Sequence, residues 1–198
     1  MQKRFTVIVL GIVVIASGVV GCDSGVNIRE IAGGIVGSQN QRPTPAPAVT
    51  SSPKPVPKTS QSSSLSALEQ SIHAQINEYR KSRNLPPLTL DTRISEQAKL
   101  HSQAMASGKV PFSHDGFEGR VKAISKSINY RSAAENVAFN QGFSDPATQA
   151  VQGWLKSPGH YKNIVGDFDL TGVSVVKNAE NEYYFTQIFI RSARYGLF

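Results

Sequence analysis

The stretch from Trp154 to Ile164, WLKSPGHYKNI, restricts what this chain can fold into more than any other. An amphipathic pattern runs through Leu155 and stops at Ser157-Pro158-Gly159. Proline disfavours helical geometry in the residue before it, and glycine tolerates dihedrals closed to other residues. The chain is therefore expected to turn sharply here, and the turn aims His160. Two upstream segments supply chemistry to match it. Phe112-Ser113-His114 carries a second imidazole, and Ala133 to Asn136, AAEN, carries the carboxylate of Glu135. The fold has to bring three distant segments together.

The beginning of the chain stands apart from that task. Lys3 and Arg4 precede Phe5 to Val20, which is almost wholly apolar, and Gly21 follows. This is the layout of a secretory signal, and at sixteen residues the apolar run is short for a membrane span, which needs about twenty. Val19-Val20-Gly21-Cys22 resembles the bacterial lipobox, in which the cysteine becomes the lipidated first residue. Cys22 is the only cysteine, so an exported chain can form no internal disulfide and the thiol needs another explanation. Residues 1–21 are thus expected to be a signal peptide, and the protein to be exported and held to a membrane through lipid on Cys22, in a periplasm or on a cell surface.

The formal charge is +7, and removal of Lys3 and Arg4 leaves 19 basic against 14 acidic residues. That balance favours anionic surfaces such as lipid headgroups or acidic wall polymers. The basic residues are scattered, with no arginine-rich run and no reader motif, so nucleic acid is not an expected partner. Between Ser38 and Ser64 lie six prolines, ten serines and threonines, three basic residues and no acidic one. Such a segment cannot bury enough apolar surface to offset its chain entropy, and at about 3.1 Å per residue it reaches at most ~80 Å. Residues 22–64 are therefore expected to form a lipidated tether.

The folded unit is expected from residue 65 to 198. Ser66 and Glu69 fit a capping box, and Leu65, Leu68, Ile72, Ile76 and Tyr79 recur at helical spacing as far as about Arg83. Asp91 reads as the N-cap of a second helix that carries Ile94, Ala98, His101 and Met105 inward and closes at Gly108. His101 is expected to be packed rather than a ligand, and His73 to lie on the surface. Glu118 to Ser125 is a short helix candidate, whereas Phe112 to His114 and Ala133 to Ala138 read as irregular. Asp145-Pro146 opens a further helix with Ala147, Val151, Trp154 and Leu155 on one face.

The period then changes. Thr171 to Lys177 alternates weakly, and Glu182 to Arg191 is apolar on both faces, which is usual for a strand covered on both sides. Asn178 to Asn181 joins them as a hairpin. Helices followed by a doubly covered sheet point to an α+β, three-layer arrangement.

INEYRKSRNLPPLTLD, FSH, AAENVA, WLKSPGHYKNI, TGVSVV and YYFTQIF, in that order between Leu65 and Arg191, resemble the CAP or SCP superfamily. This superfamily comprises cysteine-rich secretory proteins, antigen 5, plant pathogenesis-related class 1 proteins and their bacterial members. The resemblance implies an α-β-α sandwich, the CAP fold. It also implies a cleft lined by two histidines and two glutamates able to hold a divalent metal. By motif these fall on His114, Glu135 and His160. The second glutamate would stand at Ser157, so the set is incomplete, as in a short, cysteine-free bacterial subtype.

Two imidazoles and a carboxylate suit zinc or another divalent ion. A spacing of 21 and 25 residues is not itself specific, and no HExxH helix is present. The bland reading is a polar cluster in which Glu135 accepts hydrogen bonds and orders loops around a shallow cleft. Trp154, Tyr183, Phe185 and Phe189 read as core, and Tyr161 as a cleft-rim contact beside Ser157. Three functions stay open: a tethered, non-catalytic binding module for a lipid, peptide or wall-derived ligand; a metal-dependent hydrolase; and a surface scaffold.

Overall fold

A computed structural model describes residues 7–14 and 58–193, with side chains from 63 to 193. The expected lipidation at Cys22 and the linker up to residue 57 lie outside the described residues. In chain order the elements are β1 (Val7–Val14), α1 (Lys58–Ser82), β2 (Thr89–Leu90), α2 (Thr92–Ala106) and α3 (Phe117–Ile124). They continue with β3 (Tyr130–Gln141), α4 (Pro146–Lys156), α5 (Pro158–Ile164), β4 (Leu170–Lys177) and β5 (Glu182–Ser192). One sheet in the order β1-β3-β5-β4-β2 runs through the middle, antiparallel except where β2 meets β4.

The pleat of β3 and β5 sorts the core into two. Ala134, Ala138, Phe185 and Phe189 pack with Ile72 and Ile76 of α1, Trp154 of α4 and Ile164 of α5. Ala133, Ile188 and Ile190 point the other way, toward Ile94 and Ala98 of α2 and Phe117, Val121 and Ile124 of α3. The molecule is therefore the expected three-layer α-β-α sandwich, and β5 is covered on both faces as its sequence demanded.

Caps behave largely as read. Asp91 accepts the Arg93 amide at the start of α2, Gly108 takes φ 71° just past its end, and Asp145 accepts the Thr148 amide ahead of Pro146. Three local expectations are corrected. The helix expected from Leu65 begins at Lys58, so Ser66 and Glu69 lie inside it, and Glu69 accepts the Val175 amide of β4 at 3.0 Å instead of capping its own helix. Ala133 to Ala138 is not irregular: it is the middle of a twelve-residue strand. The weak β-propensity of alanine and asparagine is outweighed there by burial against helices on both sides. His73 is half-buried, 2.9 Å from the Leu88 carbonyl and 3.1 Å from the Asn77 amide.

The helical layers are pinned at two points that bear on the site. Arg80, buried in the α1 layer, donates to the carbonyls of Pro86, Ile164, Gly166 and Phe168 at 2.8 to 3.2 Å, which ties α1 to the end of α5. On the other face Gly172 of β4 lets α2 approach so closely that a methyl group would collide with the backbone of Ile94 and Ser95. Gly172→Ala is expected to lower stability by about 1–3 kcal/mol through overpacking. Gly119→Ala in α3, where nothing lies within 4 Å, is expected to raise it by about 0.5–1 kcal/mol through helix propensity. Urea unfolding followed by Trp154 fluorescence measures both, and equal shifts in one direction would contradict this packing.

Candidate functional site

The residues singled out in the sequence come from four pieces of chain. Glu135 sits in the centre of β3, fully buried, with its side chain toward the layer of α2 and α3. His114 lies in the loop that enters α3, and its Nδ1 is 3.0 Å from Glu135 Oε1. A carboxylate without a proton to give requires Nδ1–H to be the donor. In the neutral ring Nε2 is then an acceptor. Nε2 is buried and has no hydrogen-bond partner among the described residues.

The largest charge in the site is one the sequence reading missed. Arg120 of α3 donates from Nε to Glu135 Oε2 at 2.8 Å and from Nη2 to Oε1 at 2.7 Å, a two-pronged ion pair with little solvent access. Its remaining donors reach the Asp115 carbonyl at 2.9 Å and the His114 carbonyl at 3.3 Å. Gly116, at φ 77°, makes the left-handed turn that returns those carbonyls toward the guanidinium. His101 of α2 completes the support by holding the Ser113 carbonyl at 2.8 Å. Burial, and then the nearby Arg120 charge, push its pKa down, so it is a neutral donor. The expectation of a packed, hydrogen-bonded His101 is met.

His160 belongs to the other layer. The expected turn at Ser157-Pro158-Gly159 is a one-residue break: Ser157 is extended, at φ −98° and ψ 119°, and Pro158 opens α5 at once, so His160 lies in the first turn of a helix. Proline's fixed φ suits that position. The Ser157 hydroxyl makes no cap and is instead 2.8 Å from His160 Nδ1. Asparagines bind α5 to β3: Asn136 donates to the His160 carbonyl at 3.3 Å, and Asn163 to the Glu135 carbonyl at 3.2 Å and to Asn136 Oδ1 at 2.8 Å. Tyr161 turns toward α1, where its ring meets that of Tyr79 edge-on at 6.2 Å. Arg83 donates to the Tyr79 hydroxyl and holds that phenol's pKa down, while the hydrogen bond with Tyr79 pushes that of Tyr161 up.

The structure thus brings His114 and Glu135 into contact, pairs His160 with Ser157, and places Tyr161 with Tyr79. Among the described residues, no group of three or more His, Cys, Asp or Glu side chains is arranged to hold a metal ion. The reason is local. Both oxygens of Glu135 face the Arg120 guanidinium, so the position a cation would take on this carboxylate already holds one. The set His114, Glu135 and His160 does not fit a divalent ion in this arrangement, and Glu135 acts as the group that orients His114.

Residues 73–189, more than half of the chain, match the sequence model of the family described as CAP, the cysteine-rich secretory protein family. The chain belongs to the CAP family. The uncharacterized protein YkwD of Bacillus subtilis strain 168 is 35% identical over 136 residues, a match that spans 67% of this chain and 50% of YkwD. Among solved structures, an extracellular SCP-domain protein of Bacillus anthracis str. Ames is 28% identical with a TM-score of 0.58, covering 70% of this chain and 45% of that one. An outer surface protein of Borrelia burgdorferi shares the fold at 23% identity and a TM-score of 0.55, covering 64% of this chain and 94% of that one. The chain spans half the length of YkwD, so what YkwD does as a whole is a separate matter from what this CAP domain does.

Two measurements check the site. Arg120→Ala leaves the Glu135 carboxylate buried without its counter-charge and is expected to cost about 3–5 kcal/mol, most of it recovered in an Arg120→Met/Glu135→Gln double variant. An equal loss in both would mean that packing, and not charge, is what Arg120 supplies. For His101, the unfolded chain takes up a proton as the pH falls through about 6.5, while the folded ring resists until lower pH. Stability is therefore complete above pH 7 and declines as the pH drops toward 5. His101→Gln, which still donates to Ser113 but does not titrate, is expected to flatten that slope in thermal melts.

Proposed function

We propose that this protein is an extracytoplasmic CAP-domain binding module, tethered to a membrane through lipid on Cys22 and non-catalytic. The observation that carries the reading is the state of Glu135. Both oxygens of Glu135 are taken up by hydrogen bonds from Arg120 and His114 in the buried centre of the sheet, so neither is placed to exchange a proton with a substrate as a general acid or base must. What remains is the His114 Nε2, which has no hydrogen-bond partner among the described residues, and, on the opposite face of β3, the small polar side chains of Asn136 and Ser157. Such a set suits recognition of a polar group within an apolar ligand more than bond cleavage. The anchored location is supported by the lipobox resemblance, the Pro- and Ser-rich segment, and the extracellular and outer-surface proteins among the structural neighbours. With α1 starting at Lys58, the segment from Ser38 to Pro57 would let the domain search a shell about 60 Å deep at about 3.1 Å per residue.

One observation favours a second reading. Ser157 Oγ lies 2.8 Å from His160 Nδ1, within the reach a serine nucleophile needs of its base. A serine hydrolase would be labelled at Ser157 by a fluorophosphonate, whereas the binding module is expected to stay unlabelled. Zinc calorimetry on the full chain is expected to give no heat that a His114→Ala/His160→Ala double variant removes; a stoichiometric site lost in that variant would restore the metal-dependent hydrolase. Cys22→Ala is expected to move the protein from the membrane fraction to the soluble one and to abolish labelling by a clickable fatty acid. Retention without lipid label would refute the anchor.

A further inference from the structure

The two edges of the sheet are treated very differently. On one side β2 is two residues long and lies parallel to β4, too short to template another chain. On the other side β3 runs for twelve residues with no proline, and its outer edge is taken by β1 through eight consecutive antiparallel pairs, from Val7 opposite Asn140 to Val14 opposite Ala133. The occupant is VIVLGIVV, the apolar heart of the expected signal peptide. It lies against both α5 and α4, so the edge is the floor of a groove that α5 walls.

Removal of residues 1–21 before Cys22 takes this strand away and leaves the order β3-β5-β4-β2, with β3 outermost. Nothing in β3 blunts the edge thus uncovered. Its irregularity in register falls at the Tyr130 end, Arg131 stands beside that, and Glu135, the one other charged residue, is consumed by Arg120. Natural sheets seldom leave a long, uncharged, apolar edge open unless something pairs with it. The register also fixes where an occupant would pass: Ile12 lies opposite Glu135 and Gly11 opposite Asn136, so a strand in the groove crosses β3 at the AEN segment, beside His114 and α5.

We propose that the outer edge of β3, Ala133 to Asn140, is a strand-addition site for an extended apolar segment of another polypeptide, and that Val7–Val14 occupies it until the signal peptide is removed. The proposal rests on the binding-module reading and names the ligand class. Affinity comes from main-chain hydrogen bonds along the edge, and selectivity from small apolar contacts on alternate residues. While it is paired, the signal segment covers an edge that would otherwise be open to aggregation.

Hydrogen exchange on the full, uncleaved chain tests this. The β3 amides that face away from β5 are expected to be protected in the wild type and to exchange at least tenfold faster in Leu10→Pro/Ile12→Pro, because proline has no amide to donate and breaks the pairing. A synthetic peptide carrying residues 5–17 between lysines is expected to restore protection in that variant, and the same peptide N-methylated on alternate residues is not. A second form, with a protease site inserted between residues 38 and 57, releases the leader after folding without altering the domain, and unchanged Trp154 fluorescence confirms that it stays folded. Equal exchange in wild type and variant, or no rescue by the peptide, overturns the proposal. So does dimerisation of the opened chain through its β3 edges, which would make a second copy the occupant. Protection of the edge by phosphatidylglycerol vesicles or soluble peptidoglycan fragments, and not by peptide, also overturns strand addition but leaves the binding module standing. Failure of all probes removes both.

Discussion

A carboxylate at the centre of the middle layer sets the terms for everything around it. Glu135 has no water to turn to, and an isolated charge at that depth would cost more than the domain's whole stability. It is tolerable because Arg120 meets it with two hydrogen bonds and His114 with a third. That requirement fixes α3: its second turn must face β3, its entry loop must bend back through the left-handed Gly116, and His101 must hold the loop from α2. The position of His114 is thus a consequence of neutralising Glu135. The atoms that neutralise Glu135 are therefore the same ones that order His114 and its loop.

The opposite side is held by different physics. α5 is short and would not persist alone, since seven residues give too few turns to offset the cost of helix nucleation. It is kept in place by Pro158 at its first position, by Asn163 and Asn136 against β3, and by Arg80, which takes the Ile164 carbonyl at its far end. Arg80 is a buried cation satisfied wholly by carbonyl oxygens, and desolvation lowers its pKa without removing its charge. His160 is carried on this pinned helix and Ser157 sits just ahead of it, so the two imidazoles belong to two separately stiffened layers with the sheet between them.

Much of this architecture was legible in the residues. Asp91 and Asp145-Pro146 announced helix starts because a side-chain cap is a local event, and β5 announced its double burial because both of its faces are apolar. β3 was not legible: its AAENVA run lacks the β-branched alternation of an ordinary strand, and small residues suit it only because helices press on both faces. Arg120 escaped notice for a related reason. In a chain with 21 basic residues nothing local marks the one that will be buried fifteen positions from its carboxylate. A weak signal existed in retrospect: Gly116 followed by Arg120 places a turn-forming residue where an inward arginine needs two backbone acceptors. The pairing of His114 with Glu135 was foreseen through family resemblance alone, and the resemblance also suggested a third partner, His160, that the layering assigns to Ser157.

The same layering explains why the edge of β3 matters more than any cavity. His114 bonds to Glu135 on one face of β3 and the His160 carbonyl to Asn136 on the other, and the outer margin of the same strand passes both residues. The walls there are anchored by Arg120 on one side and by Arg80 and the asparagines on the other, so opening them would break buried ion pairs and hydrogen bonds. Exchange of the strand between them breaks only main-chain bonds that the incoming strand remakes. A domain built in this way answers to its occupant by substitution of one extended segment for another, with the helices as fixed rails.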